Sequence, residues 1–151
     1  MDPFGRFFAP QDDNSVDCAL MAIQNLLQTD KVDRAQLNGA AKCVADLTGD
    51  SVANHTANGF WSTDTIVFAL SKMGYVTDYV RTLQFSKNTI GYIVHMPNKS
   101  HYACVRRHYK DPLYLELVDS LEGIESMPIP KMLERAEDED WNFISVNTKC
   151  I

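Results

Sequence analysis

The hydrophobic period of this chain changes once, near residue 75, and does not change back. Before that point apolar residues recur at three- and four-residue spacing. After it they come in short runs rich in Val, Ile, Tyr and Phe. Helices first and strands later, without βα alternation, define an α+β chain: N-terminal helices packed on a mostly antiparallel sheet of five to six strands. A chain of 151 residues is one domain with room for a real core.

Residues 1–16 read as an irregular lead-in. Asp17 is placed to cap a helix over 18–28, with Ala19, Ala22, Ile23, Leu26 and Leu27 inward. Asp33 caps a second helix reaching Leu47, and the polar stretch 48–59 is a loop. Ser62 caps a third helix carrying Ile66, Val67, Leu70 and Met73, which Gly74 ends. Strands are expected over 75–80, 90–95, 101–107, 113–119 and 142–147, and a short acidic helix over 130–138.

Three residues carry the chemistry. Cys18 opens the first helix, His101 opens a strand and Asp119 closes the next one. If strand 113–119 folds back on 101–107 through the five residues 108–112, Arg107 pairs with Leu113 and His101 with Asp119. Directly opposed residues have Cβ atoms about 4.5–5.5 Å apart, within hydrogen-bond reach of an imidazole and a carboxylate. Ala103, Val105, Leu115 and Leu117 share that face. Tyr102, Cys104, Arg106, Tyr114, Glu116 and Val118 make the other, more mixed one. The first helix, packed on the face that bears His101, would bring Cys18 to the ring. There the helix's free N–H groups and positive dipole end favour a thiolate and can help to bind an oxyanion. Thiolate nucleophile, imidazole base and orienting carboxylate are the parts of a cysteine hydrolase. A side-chain amide just upstream, Gln11 or Asn14, is the candidate second oxyanion donor.

Each part alone has a plainer reading. A cysteine at a helix start is more often a small buried hydrophobe, and an aspartate ending a strand is usually a turn former. Cys43 and Cys104 read as packing residues, Trp61 and Phe60 as core, and His55, His95 and His108 as structural or surface residues. The four cysteines show no CxxC spacing, so neither a metal knuckle nor a disulfide framework is expected. A net charge of −6 argues against nucleic acid and anionic membranes as partners. No run of 18 apolar residues is present. The first ten residues lack a secretion signal, so the protein is expected in a cytosol, its own or that of a host to which a pathogen delivers it.

The stretch Ser15-Val-Asp-Cys18-Ala-Leu-Met-Ala-Ile-Gln-Asn-Leu-Leu-Gln28 resembles the nucleophile segment of Josephin-domain deubiquitinases. Asn58-Gly-Phe-Trp-Ser62 is similar to that family's approach to its third helix. Ser100-His101-Tyr-Ala-Cys-Val-Arg106 resembles its His-aromatic strand, and Leu117-Val-Asp119-Ser-Leu121 its Asp-Ser-Leu end. The matches are collinear over roughly residues 11–147. What the resemblance implies is a single papain-like, Josephin-like domain over 1–151, with Cys18, His101 and Asp119 as a triad. Gln11 stands two residues further from Cys18 than the family's oxyanion glutamine, so Gln11 and Asn14 both remain candidate donors. The resemblance implies cleavage after the C-terminal glycine of ubiquitin or polyubiquitin by a monomer that needs no metal or organic cofactor. Bacterial leader-processing cysteine peptidases also share a Gln…Asp-Cys start and a His-aromatic strand. They more often carry Gly after the cysteine and Pro after the aspartate, where Ala19 and Ser120 stand here. A peptidase for another glycine-ended or leader peptide is therefore the alternative within enzymes. A non-catalytic ubiquitin-binding module is the alternative outside them.

Overall fold

The computed structural model describes residues 8–10, 17–49 and 61–149. Three helices come first: α1 (Cys18–Leu27), α2 (Arg34–Thr48) and α3 (Thr63–Lys72). Then follow β1 (Val76–Val80), β2 (Thr89–Met96), a 3-10 turn (Pro97–Lys99), β3 (His101–Arg107), β4 (Tyr114–Asp119) and β5 (Gly123–Pro128). Helix α4 (Ile129–Asp138) and β6 (Asn142–Asn147) complete the order. Local chemistry sets the boundaries. Asp33 and Gln36 form a reciprocal capping box at the start of α2, and the Ser62 hydroxyl accepts from the Thr65 N–H at α3.

Among the described residues the strands form one antiparallel sheet in the order β1-β6-β2-β3-β4-β5. The sheet separates two cores. On one side α1, α2 and α3 bury Ile23, Leu37, Ile66 and Leu70 against Ile93, Tyr102, Cys104, Val118, Ile144 and Val146. On the other, Met132 and Ala136 of α4, with Leu83 and Trp141, cover Tyr92, Val94, Ala103, Val105, Leu115, Leu117 and Phe143. Three layers result, with α+β order as expected from the sequence.

A glycine on β2 makes room beneath α1. A Cβ at Gly91 would collide with the Val105 backbone oxygen and the Leu26 side chain. The absence of that atom lets Leu26 seat against the strand backbone.

Four expectations need correction. The ladder between β3 and β4 pairs Arg107 with Leu115 and Cys104 with Val118, two residues away from the expected register. His108 Nδ1 accepts from the N–H groups of Lys110 and Asp111, and Asp111 Oδ1 accepts from Leu113 N–H. This turn consumes residue 113, so the strand starts at Tyr114. A slip of two preserves the faces, so His101 and Asp119 still share one.

The second correction concerns α1, which packs on the opposite face, over Tyr102, Cys104 and Val118. That face tolerates burial because its two charges cancel: Arg106 Nε donates to Glu116 Oε1 at 2.9 Å, both side chains buried. Third, Asp17 stands at the N-cap of α1 but makes no side-chain cap bond; its carboxylate pairs with Arg34. Last, β5 is a strand in a stretch to which the pattern assigns no element. The loop expected over 48–59 lies outside the described residues from residue 50 onward.

Candidate active site

The site forms at one end of the sheet, where β3 begins, β4 ends and α1 starts. Cys18, His101 and Asp119 occupy those three positions and are 5%, 7% and 8% exposed. Asp119 is the last residue of β4, so its carboxylate serves the turn as well as the ring. Oδ1 accepts from the Leu121 N–H at 2.9 Å and the Glu122 N–H at 3.3 Å. The same oxygen lies 2.9 Å from His101 Nε2. His101 follows a 3-10 turn that ends with Ser100 in the left-handed region, at φ 48°. The chain thus enters β3 with the imidazole already turned toward β4. Cys18 stands close enough to the His101 ring to act on its charge.

Burial opposes a charge on His101. The hydrogen bonds to Asp119 and Cys18, and the negative charge near both, outweigh it and push the imidazole up to about 9. Burial likewise works against ionised Asp119. The bonds from His101, Leu121 and Glu122 overcome it and hold the carboxyl below its usual range. A carboxylate facing Nε2 requires a proton on that nitrogen, which fixes the tautomer and leaves Nδ1 as the acceptor in the neutral ring.

Around the thiol stands a wall the sequence did not announce. Tyr102, the residue after His101, is buried under α3, and its hydroxyl shares a 3.0 Å hydrogen bond with Thr63 Oγ1. His95 stacks on Tyr102 with ring centroids 4.8 Å apart and planes at 23°. Burial pushes the His95 imidazole down, toward a neutral ring. Thr63 and His95 also line a cleft of about 760 Å³ that continues past Tyr79 and Trp141. The clue to this wall was an aromatic next to a strand-opening histidine, paired across β2 with a second histidine.

Of Cys43 and Cys104, one falls as the sequence suggested. Burial pushes the Cys104 thiol up to about 12, which suits a packing residue. Cys43, expected to pack, is instead exposed on α2, on the side of the helix away from Leu37, Ala40, Ala41 and Val44. Trp61 is core, its Nε1 donating to Asn38 Oδ1 at 3.1 Å. His108 organises its own turn, whereas His55, Phe60, Gln11 and Asn14 lie outside the described residues. Among the described residues no cluster of three His, Cys, Asp or Glu side chains could hold a metal ion. None of their helices is long and apolar enough to cross a membrane.

The sequence matches no protein-family model and no curated protein. Solved structures do resemble the fold. The peptidase domain of Streptococcus ComA, a bifunctional ABC transporter involved in a quorum-sensing pathway, aligns over 93% of this chain and 97% of its own. Its TM-score is 0.59 at 19% identity. A double-glycine-motif protease from an AMS/PCAT transporter, in complex with the leader peptide, aligns over 93% of this chain and 91% of its own. There the TM-score is 0.56 at 13% identity. The fold is that of papain-like cysteine peptidase domains. One of these structures is a transporter peptidase domain and the other a double-glycine-motif protease; neither is a Josephin domain.

Proposed function

We propose that the protein is a cysteine peptidase that cuts a peptide on the C-terminal side of a glycine. Cys18 is the nucleophile, His101 the base and then the acid, and Asp119 the carboxylate that orients the ring. One observation carries this reading: the imidazole is hydrogen-bonded to the carboxylate with the thiol beside it, each residue less than a tenth exposed.

Raised to about 9, His101 holds the proton on Nδ1 as well as on Nε2 at neutral pH, and the Cys18 sulfur attacks the glycine carbonyl carbon as the thiolate of that ion pair. The carbonyl oxygen takes the electron pair and is met by first-turn N–H groups of α1, to which Asp17 gives no side-chain cap. A side-chain amide from Gln11 or Asn14 completes the pocket. Collapse of the intermediate breaks the C–N bond as imidazolium protonates the departing amine, leaving a thioester. Water then gives a proton to His101, its oxygen attacks the thioester, and the thiol and a free carboxyl are regenerated.

Glycine suits this site because Cys18 is almost enclosed beside Tyr102, so an acyl residue without a side chain reaches the sulfur most easily. A leader peptide ending in two glycines is the favoured substrate class. It is supported by the kinship of fold and by the leader peptide that one similar structure holds. The collinear Josephin-like motifs, with Ala19 and Ser120 beside the reacting residues, favour the glycine-ended tail of ubiquitin as the second reading.

The experiment is a side-by-side digestion of Gly-Gly leader peptides and a ubiquitin fusion, read by mass spectrometry. Cleavage after glycine in the leader set, absent in Cys18→Ala, is the expected result. Preferential cleavage of the fusion would favour the ubiquitin reading. Tight binding without cleavage, with Cys18 no more reactive than Cys43, would leave a binding module.

A further inference from the structure

Helices α1, α2 and α3 each follow a residue whose side chain can cap them, and α1 goes without. Asp33 accepts from the Gln36 N–H and Ser62 from the Thr65 N–H, both from extended backbone at ψ 174° and 162°. Asp17, before α1, has φ −85° and ψ 22° and makes no side-chain cap bond. Only its backbone oxygen serves the helix, accepting from the Met21 N–H at 2.9 Å. The Asp17 carboxylate is turned to α2 instead, where Arg34 Nη2 donates to Oδ1.

Arg34 is an odd choice where it stands. It is the first residue of α2, a cation at the positive end of a helix dipole, with no acidic residue in that turn to offset it. Its guanidinium lies 5.9 Å from the centroid of the Trp61 ring. Trp61 is buried, and its Nε1 donates to Asn38 Oδ1 one turn along the same helix. The cation is thereby held between an anchored indole and the carboxylate that precedes the nucleophile. The Arg34 side chain is 46% exposed, and an ion pair this open to water stabilises a fold weakly. A residue that breaks a local preference and stabilises little is expected where function sets it.

We propose that Arg34 is a positioning residue of the peptidase reaction. It draws the Asp17 carboxylate off the first turn of α1 and so keeps that turn's N–H groups open to the substrate's oxyanion. The inference rests on the reaction proposed above. A capping aspartate accepts from the second or third N–H of its helix, here that of Ala19 or Leu20. It would also set a negative charge against an oxygen that is gaining one. The cap would favour the helix, so a chain without Arg34 gains a helix start and loses an oxyanion donor. Stability and turnover then move apart, which a purely structural pair would not produce.

The test uses the whole chain with Arg34→Gln, and with Arg34→Gln combined with Asp17→Ala. Turnover of a Gly-Gly-coumarin peptide and thermal melting are read on each. In Arg34→Gln, kcat should fall about a hundredfold, the effect of losing one oxyanion donor, with KM within about threefold of wild type. Its melting temperature should equal or exceed that of wild type. The double variant has no carboxylate to fold onto the helix, and should regain at least about tenfold in kcat over the single one. A kcat for Arg34→Gln within about threefold of wild type overturns the inference. A double variant no faster than the single one does so too, as does loss of cooperative melting in Arg34→Gln, since the pair would then hold the fold. Wild-type protein that cleaves no Gly-Gly peptide overturns the proposed reaction, and this inference with it. Wild-type turnover that Arg34→Gln leaves intact overturns this inference alone.

Discussion

Strands β3 and β4 share two buried pairs of opposite charge, at opposite ends of β3. Arg106 meets Glu116, and His101 meets Asp119, each at 2.9 Å and each nearly closed to solvent. The first pair stands directly opposed in the ladder, beneath α1. The second is diagonal, at the sheet's end beside a thiol. Equal distance therefore does not make equal roles. The Arg106–Glu116 pair neutralises a polar patch so that α1 can cover it. The His101–Asp119 pair includes a ring able to exchange protons, with the Cys18 thiol beside it.

The largest effect that would break this contrast is on turnover. His101→Ala should lower kcat on a Gly-Gly peptide on the order of 10⁴-fold, as loss of a general base does, with the melting transition retained. Comparable loss in Glu116→Leu, measured per folded molecule, would put both pairs in one class. Glu116→Leu should instead show its effect in stability, costing about 3–5 kcal/mol in urea titrations because Arg106 is left buried without its counter-charge.

A pH series sharpens the distinction further. His101 titrates at about 9 in the fold against 6.5 for a free imidazole, so its contribution to stability is complete below pH 6.5 and fades as pH rises through 9. Asp119 is shifted down, so its contribution is present above about 3.8 and is lost as pH falls through its lower folded value. Wild type should exceed His101→Gln in stability at pH 5 to 6, and the two urea midpoints should converge above about pH 9. A gap that stays constant from pH 6 to 10 would deny the ring its charge. The smallest expected effect lies outside both pairs: Asp33→Ala removes the α2 capping box and should lower stability by about 1 kcal/mol without changing kcat.

Much of this was readable in the chain because the decisive signals are local. The bounds of β3 and β6, and the caps at Asp33 and Ser62, follow from neighbouring residues alone. The shared face of His101 and Asp119 survived a register error because strands repeat every two residues. The face chosen by α1 was not readable. Arg106 and Glu116 look solvent-facing until each is known to neutralise the other. Nor was β5, whose Ile124 and Met127 fall on opposite faces of a half-exposed edge strand. The approach of Cys18 to His101 joins segments more than eighty residues apart, and no spacing rule reaches that far. The resemblance named three side chains that the fold brings to one end of the sheet, while the solved structures that share the fold are transporter peptidase domains rather than Josephin domains.

Gly91 gives the arrangement a hidden tolerance limit. The missing methyl there sets how deeply Leu26 can seat, and Leu26 shares a rigid rod with Cys18. Any larger residue would press on the Val105 carbonyl of β3 and on the tip of Leu26, near the far end of the helix that begins with Cys18. A single hydrogen atom thus acts as the spacer between two strands and the helix that covers them.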